Sequence, residues 1–145
     1  MRRARGLIGV LALTLSLATP AIVLAGGEIG TVTINSATVD QAGNVRVSGT
    51  VWCSEPMYDV QMNGQVDQVI GRKVTLRAGF SGWWFGSSCN GTTPWEFSVR
   101  ADSGKFGPGW TTIDVWFQAC TDPNDWSTCY AKNGTTRYMK VVRTK

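Results

Sequence analysis

The chain has no histidine. Its absence removes the commonest general base, and with it the Ser-His and Cys-His pairs of many hydrolases. It also removes a frequent zinc ligand, and the four cysteines lack the C-x2-C spacing that could hold the metal instead. Long apolar runs are missing too: the one candidate, Leu7 to Leu17, falls well short of the roughly 20 residues a bilayer span requires. No amphipathic helical stripe, internal repeat or low-complexity tract is present. An excess of one charge is also lacking once the first 25 residues are set aside. They hold three of the 14 basic residues and none of the 10 acidic ones, leaving 11 against 10. A concentrated basic face for nucleic acid is therefore not expected.

The N-terminus has the form of an export signal. Arg2, Arg3 and Arg5 precede the apolar run, and Val23-Leu24-Ala25 meets the small-x-small rule for cleavage. The twin arginine lacks the apolar pair of the folded-protein route, because Ala4, Arg5 and Gly6 follow. The expectation is a signal peptide over 1–25 and one domain over 26–145. The product is expected to be a secreted, extracellular monomer without a transmembrane segment. Export makes disulfides the expected state of Cys53, Cys89, Cys120 and Cys129.

A period of two dominates the remainder. In Asn44 to Cys53, residues Val45, Val47, Gly49, Val51 and Cys53 share one face, and Arg46, Ser48, Thr50 and Trp52 the other. Thr31 to Val39 precedes this strand through a turn containing Gly43 and Asn44. Met57 to Met62 and Gln65 to Ile70 predict a hairpin about Asn63-Gly64, the pair best suited to a type I′ turn. Lys73 to Ala78 is the next strand and Gly79 to Thr93 reads as a long loop. Pro94 to Ala101 and Trp110 to Cys120 alternate clearly. Asn133-Gly134 reads as a tight turn before a last strand, Thr135 to Arg143. Seven or eight strands with short turns predict an all-β fold, an immunoglobulin-like antiparallel β-sandwich with two disulfides. A closed barrel is the structural alternative.

Val47-Ser48-Gly49-Thr50-Val51-Trp52-Cys53, then Cys89-Asn90-Gly91-Thr92-Thr93-Pro94-Trp95, then Phe106-Gly107-Pro108-Gly109 ahead of Cys120, resembles small secreted bacterial immunoglobulin-like domains of unknown function. The resemblance runs from about Gly30 to Val142. It implies export and a two-disulfide sandwich, and brings no activity with it.

Four cysteines allow three connectivities. Strand parity points Cys53 inward with its valines. Cys120 is opposite in parity to Ile113, Val115 and Phe117, so a core Cys53–Cys120 bridge would need a bulge. The preferred pairs are Cys53–Cys89 and Cys120–Cys129, the second stapling the loop 121–128.

Seven tryptophans are many for this length. Trp95 has core parity. The candidate ligand-binding residues are Trp52 and Trp116, outward on their strands, Trp83 and Trp84 with Phe85 in the long loop, and Trp126 with Tyr130 at the stapled loop. Flat rings offer large contact area at low entropic cost, to sugars and peptides alike. The competing use of such rings is to plug the ends of a sandwich. Asp122 and Asp125, with Asn124 between them, read as turn formers rather than calcium ligands. Glu55, Asp59, Glu96 and Asp114 cannot be assigned as a glycosidase pair from sequence. Ser87 and Ser88 lack the Gly-x-Ser-x-Gly spacing. No catalytic residue, metal or cofactor is expected. The function expected is a secreted, non-catalytic domain, either binding a glycan or cell surface or purely structural. The alternative is a protein-interaction module, such as an adhesin or protease inhibitor, acting through the loop 121–128.

Overall fold

A computed structural model describes residues 27–72, 74–83 and 88–144. The signal peptide expected over 1–25 lies outside the described residues. Six strands hold most of those described: β1 (Ile29–Val39), β2 (Asn44–Ile70), β3 (Val74–Trp83), β4 (Cys89–Arg100), β5 (Gly109–Cys120) and β6 (Ala131–Arg143). Among the described residues there is no α-helix, only a 3-10 turn at Trp126–Thr128.

The 27-residue β2 organises the rest. Its first limb pairs antiparallel with β1, from Val45↔Val39 to Cys53↔Ile29, and with β4, from Asn44↔Arg100 to Met57↔Cys89. Its second limb pairs with β3 and β5, and β6 lies antiparallel along β5. The limbs meet where both ladders slip register, between Cys53 and Gln61, and Asp59 takes φ 47° there. β2 thus passes from one sheet into the other without ending. A short parallel rung, Thr38↔Val142 and Val39↔Arg143, joins β1 to β6, so the circuit β1–β2–β5–β6 closes partly as a barrel.

Six strands replace the seven or eight expected, because Asn44–Cys53, Met57–Met62 and Gln65–Ile70 run on as the single strand β2. Asn63 and Gly64 sit within β2, paired on one side with β3 and on the other with β5. Gly64 is not among the glycines with positive φ; its role is space. A Cβ there would come within 2.3 Å of the Phe80 ring and 2.4 Å of the Asp114 carbonyl oxygen. Gly134 is similar: it lies inside β6, and a Cβ would meet the Val115 carbonyl oxygen at 2.6 Å. The β2–β3 turn falls instead at Gly71, whose φ is 65°. Much of the expected loop from Gly79 to Thr93 is also strand, the end of β3 and the start of β4.

Inward positions of both sheets meet in one apolar core. Val45, Val47 and Val51 of the first limb face Val66, Ile113, Val115 and Phe117 of the second sheet, all nearly fully buried. Trp95 is a core residue, as its parity predicts, and its ring lies 5.9 Å from that of Phe117 across the gap between sheets. Gly49 makes room for it, since a Cβ there would meet the indole at 2.4 Å. Gln68 closes one end of the core. Its amide donates to the Gly107 carbonyl at 2.7 Å and to the Thr111 hydroxyl at 3.2 Å, and accepts from the Gly107 N–H at 3.0 Å. This buried amide has its polar atoms satisfied, as a buried polar group requires.

The disulfides are Cys53–Cys89 and Cys120–Cys129, the pairing that strand parity favoured. The first ties β2 to β4 within one sheet; the second ties the end of β5 to the following loop. The chain-entropy model assigns about 3.8 kcal/mol to the longer closure and about 2.7 kcal/mol to the shorter. Both bridges lie at the same end of the molecule, where β2 crosses between sheets.

Candidate functional site

Four strands of the second sheet lie in the order β3, second limb of β2, β5, β6, and their outward residues form one face. The register sets its rows. Trp116 stands between Asn63 on β2 and Gly134 on β6, Asp114 between Gln65 and Thr136, and Thr112 between Asp67 and Tyr138. Because Gly134 has no side chain, one flank of the Trp116 indole is left uncovered. Trp116 is 43% exposed.

Trp116 lines a shallow groove of about 370 Å³ with Asn63, Gly64, Gln65, Phe80 and Asp114. Its polar groups are only partly engaged. One oxygen of Asp114 accepts from the Thr136 hydroxyl. Gln65 donates to Asp67 at 2.6 Å, and Asp67 takes the Arg77 guanidinium at 2.8 Å. That carboxylate raises the Arg77 pKa, chiefly through the hydrogen bond. Asn63 is 9% exposed, and its Nδ2 makes no hydrogen bond to protein. A buried donor without a partner is costly, and an acceptor arriving in the groove would relieve that cost. Further along the face the rings of Trp110 and Tyr138 stack at 5.0 Å. Trp110 lies six residues from Trp116, about 20 Å along an extended strand.

A second groove of about 400 Å³ lies on the outer face of the first sheet, near Thr38, Arg46, Glu96 and Ser98. It carries no comparable unmet demand. Arg46 is paired with Glu96 at 2.6 Å, and Asp40 accepts from the Asn44 backbone and side chain.

The expected aromatic residues do not gather at one place. Trp52 lies on the outer face of the first sheet, its ring across Gly30, on the opposite side of the molecule from Trp116. Trp126 and Tyr130 are exposed at the disulfide-bearing end. Trp126 borders a narrow crevice with Gln61 and Gln118, which extend the face of Trp116 toward that end. The Trp83 backbone pairs with Gln61, but its side chain, and all of Trp84, Phe85 and Ser87, lie outside the described residues. Asp122 and Asp125 act within their own loop. Asp122 accepts from the Asn124 N–H at 2.8 Å, and Asp125 from the Ser127 N–H at 2.9 Å. The Ser127 bonds lower the Asp125 pKa.

Sequence reasoning missed Trp110, Tyr138 and Asn63. The first two have outward parity on readable strands and could have been found by laying β5 against β6. Asn63 was hidden by its reading as a turn residue. No known family model matches this chain, and no curated protein matches its sequence.

Proposed function

We propose that this protein is a secreted, non-catalytic binding domain that holds a glycan on the outer face of its second sheet. The observation that carries the reading is the Trp116 groove, an exposed indole edged by a carboxylate and two amides. A sugar ring has an apolar face for the indole and hydroxyls for the polar rim. Asp114 and Gln65 would accept or donate at those hydroxyls, and Asn63 would donate. The stacked Trp110 and Tyr138 supply a further flat surface on the same face for a longer chain. Two disulfides favour an oxidising compartment, and no helix among the described residues is long and apolar enough to cross a membrane.

The immunoglobulin-like reading belongs to the same proposal. Its support is the pairing of β1 and β4 with one limb of β2 and of β3 and β5 with the other, around inward-alternating residues. An inter-sheet disulfide of the antibody type has no counterpart here, and the Trp95–Phe117 contact occupies the space between sheets.

The test is retention on a panel of insoluble and soluble glycans, read by depletion and by tryptophan fluorescence. Wild-type protein is expected to bind at least one of them, and Trp116→Ala to lose at least about tenfold in affinity. Equal retention of the two proteins would overturn the assignment of the face. A second reading, protein capture through the loop 121–128, has its own support. Trp126 is 66% exposed on a turn pinned by a disulfide and by the Asp125 cap. Trp126→Ala would then abolish partner capture while leaving glycan retention intact.

A further inference from the structure

The two ends of the molecule differ in character. One carries both disulfides and the loop 121–130. The other carries the β1–β2 turn, the β2–β3 hairpin, the β4–β5 connection and the end of β6. Ten large apolar side chains are exposed among the described residues, and six belong to this second end: Val69, Ile70, Val74, Trp110, Tyr138 and Val142. The hairpin explains three of them. Gln68 seals the core with Gly107 and Thr111, and β2 continues past it through Val69 and Ile70 before turning at Gly71. Their side chains therefore stand beyond the core, Val69 at 65% exposure.

Charge is divided along the same axis. Arg72, Arg100, Lys105, Lys140 and Arg143 are exposed at the apolar end, and among the described residues none of them forms an ion pair. Asp40, Asp67 and Asp102 are the acidic residues there, with Asp40 occupied by Asn44 and Asp67 by Arg77. The opposite end holds Glu28, Glu55, Asp59, Asp122 and Asp125 against Lys132. The two ends thus carry opposite charge.

We propose that the hairpin end seats on an anionic lipid surface. Aliphatic residues at a protruding tip, a Trp–Tyr pair beside them and a ring of unpaired cations form the set that suits a membrane interface. Aliphatic tips offer nothing to a sugar or a phosphate chain, but they gain by entering hydrocarbon. Unpaired Arg and Lys around them are drawn to acidic headgroups. A second copy of this chain is a poorer occupant, because a two-fold contact would bring the same cations face to face. The acidic end is repelled by the same surface, so the molecule would stand with its disulfide-stapled loop outward.

The experiment is vesicle flotation of the protein recovered from an exporting host. Phosphatidylcholine vesicles are compared with vesicles containing phosphatidylglycerol, at low and high salt. The protein is expected to float with the anionic vesicles only and to be released by salt. Val69→Ser/Ile70→Ser/Val74→Ser tests the apolar tip, and Arg72→Glu/Lys140→Glu tests the charge. Each set is expected to weaken binding by about fivefold or more. These positions are exposed, so circular dichroism should show both variants folded. Three results would each overturn the proposal: no flotation, equal flotation with neutral vesicles, or flotation unaffected by the serine set. So would a concentration-dependent dimer abolished by the serine set.

Discussion

Trp110 stacks on Tyr138 with centroids 5.0 Å apart and planes 16° from parallel, although the two are not direct partners in the ladder. Trp110 pairs with Lys140, and Tyr138 with Thr112. The rings therefore meet on the diagonal, a reach available to large aromatics across neighbouring strands. A double-mutant cycle with Trp110→Ala and Tyr138→Ala should give a coupling of about 0.5 kcal/mol in urea denaturation. Strict additivity would mean that the stack contributes nothing to the fold.

Asn63→Ala should behave unlike most buried polar truncations. A buried amide with its bonds made costs about 1 kcal/mol or more to remove. Asn63 Nδ2 has no protein bond to lose, so the variant should be as stable as the wild type or more so. Its retention on any glycan the wild type binds should fall. A clear drop in urea midpoint would show that the amide stabilises the fold.

Gly64→Ala tests why glycine stands inside β2. The added methyl would meet the Phe80 ring and the Asp114 carbonyl, and overpacking of this kind costs about 1–3 kcal/mol. Gly82→Ala is the control, because nothing lies within 4 Å of the position its Cβ would take. The expected result is a large loss of stability at position 64 and a small one at position 82.

Asp40 supplies a pH-dependent element. The Asn44 backbone N–H, followed by the Asn44 side chain, holds its pKa below the ordinary aspartate value. A carboxylate with a depressed folded pKa adds stability that is fully present above the unfolded value, about 3.9, and is lost as pH falls through the folded one. Asp40→Ala should therefore be less stable than wild type at neutral pH. The gap between their urea midpoints should close below about pH 4. A gap that persists in acid would assign the effect to packing in the turn.

Much of the fold was readable from alternation alone. Trp95, Phe97, Val99 and Ala101 against Glu96, Ser98 and Arg100 marked β4, and the parity of Cys53 and Cys120 led to the disulfide pairs. Of the three Asn-Gly pairs, Asn63-Gly64 and Asn133-Gly134 misled, for one physical reason. Asn-Gly is favoured in turns because glycine accepts positive φ, but glycine also accepts a neighbour where a Cβ would be. Gly64 and Gly134 serve the second purpose, on either side of β5. The site was less legible than the fold because it depends on register across four strands. Outward parity could name Trp116. It could not place Asn63 beside it or Trp52 on the opposite face.

The length of β2 sets how the molecule can fail. Four of the other five strands take their alignment from it. A one-residue slip in β2 would exchange inside for outside in both sheets together. Cleavage near Asp59 would leave neither fragment with a complete set of partners. The protein should therefore unfold as a unit, with no half able to survive alone.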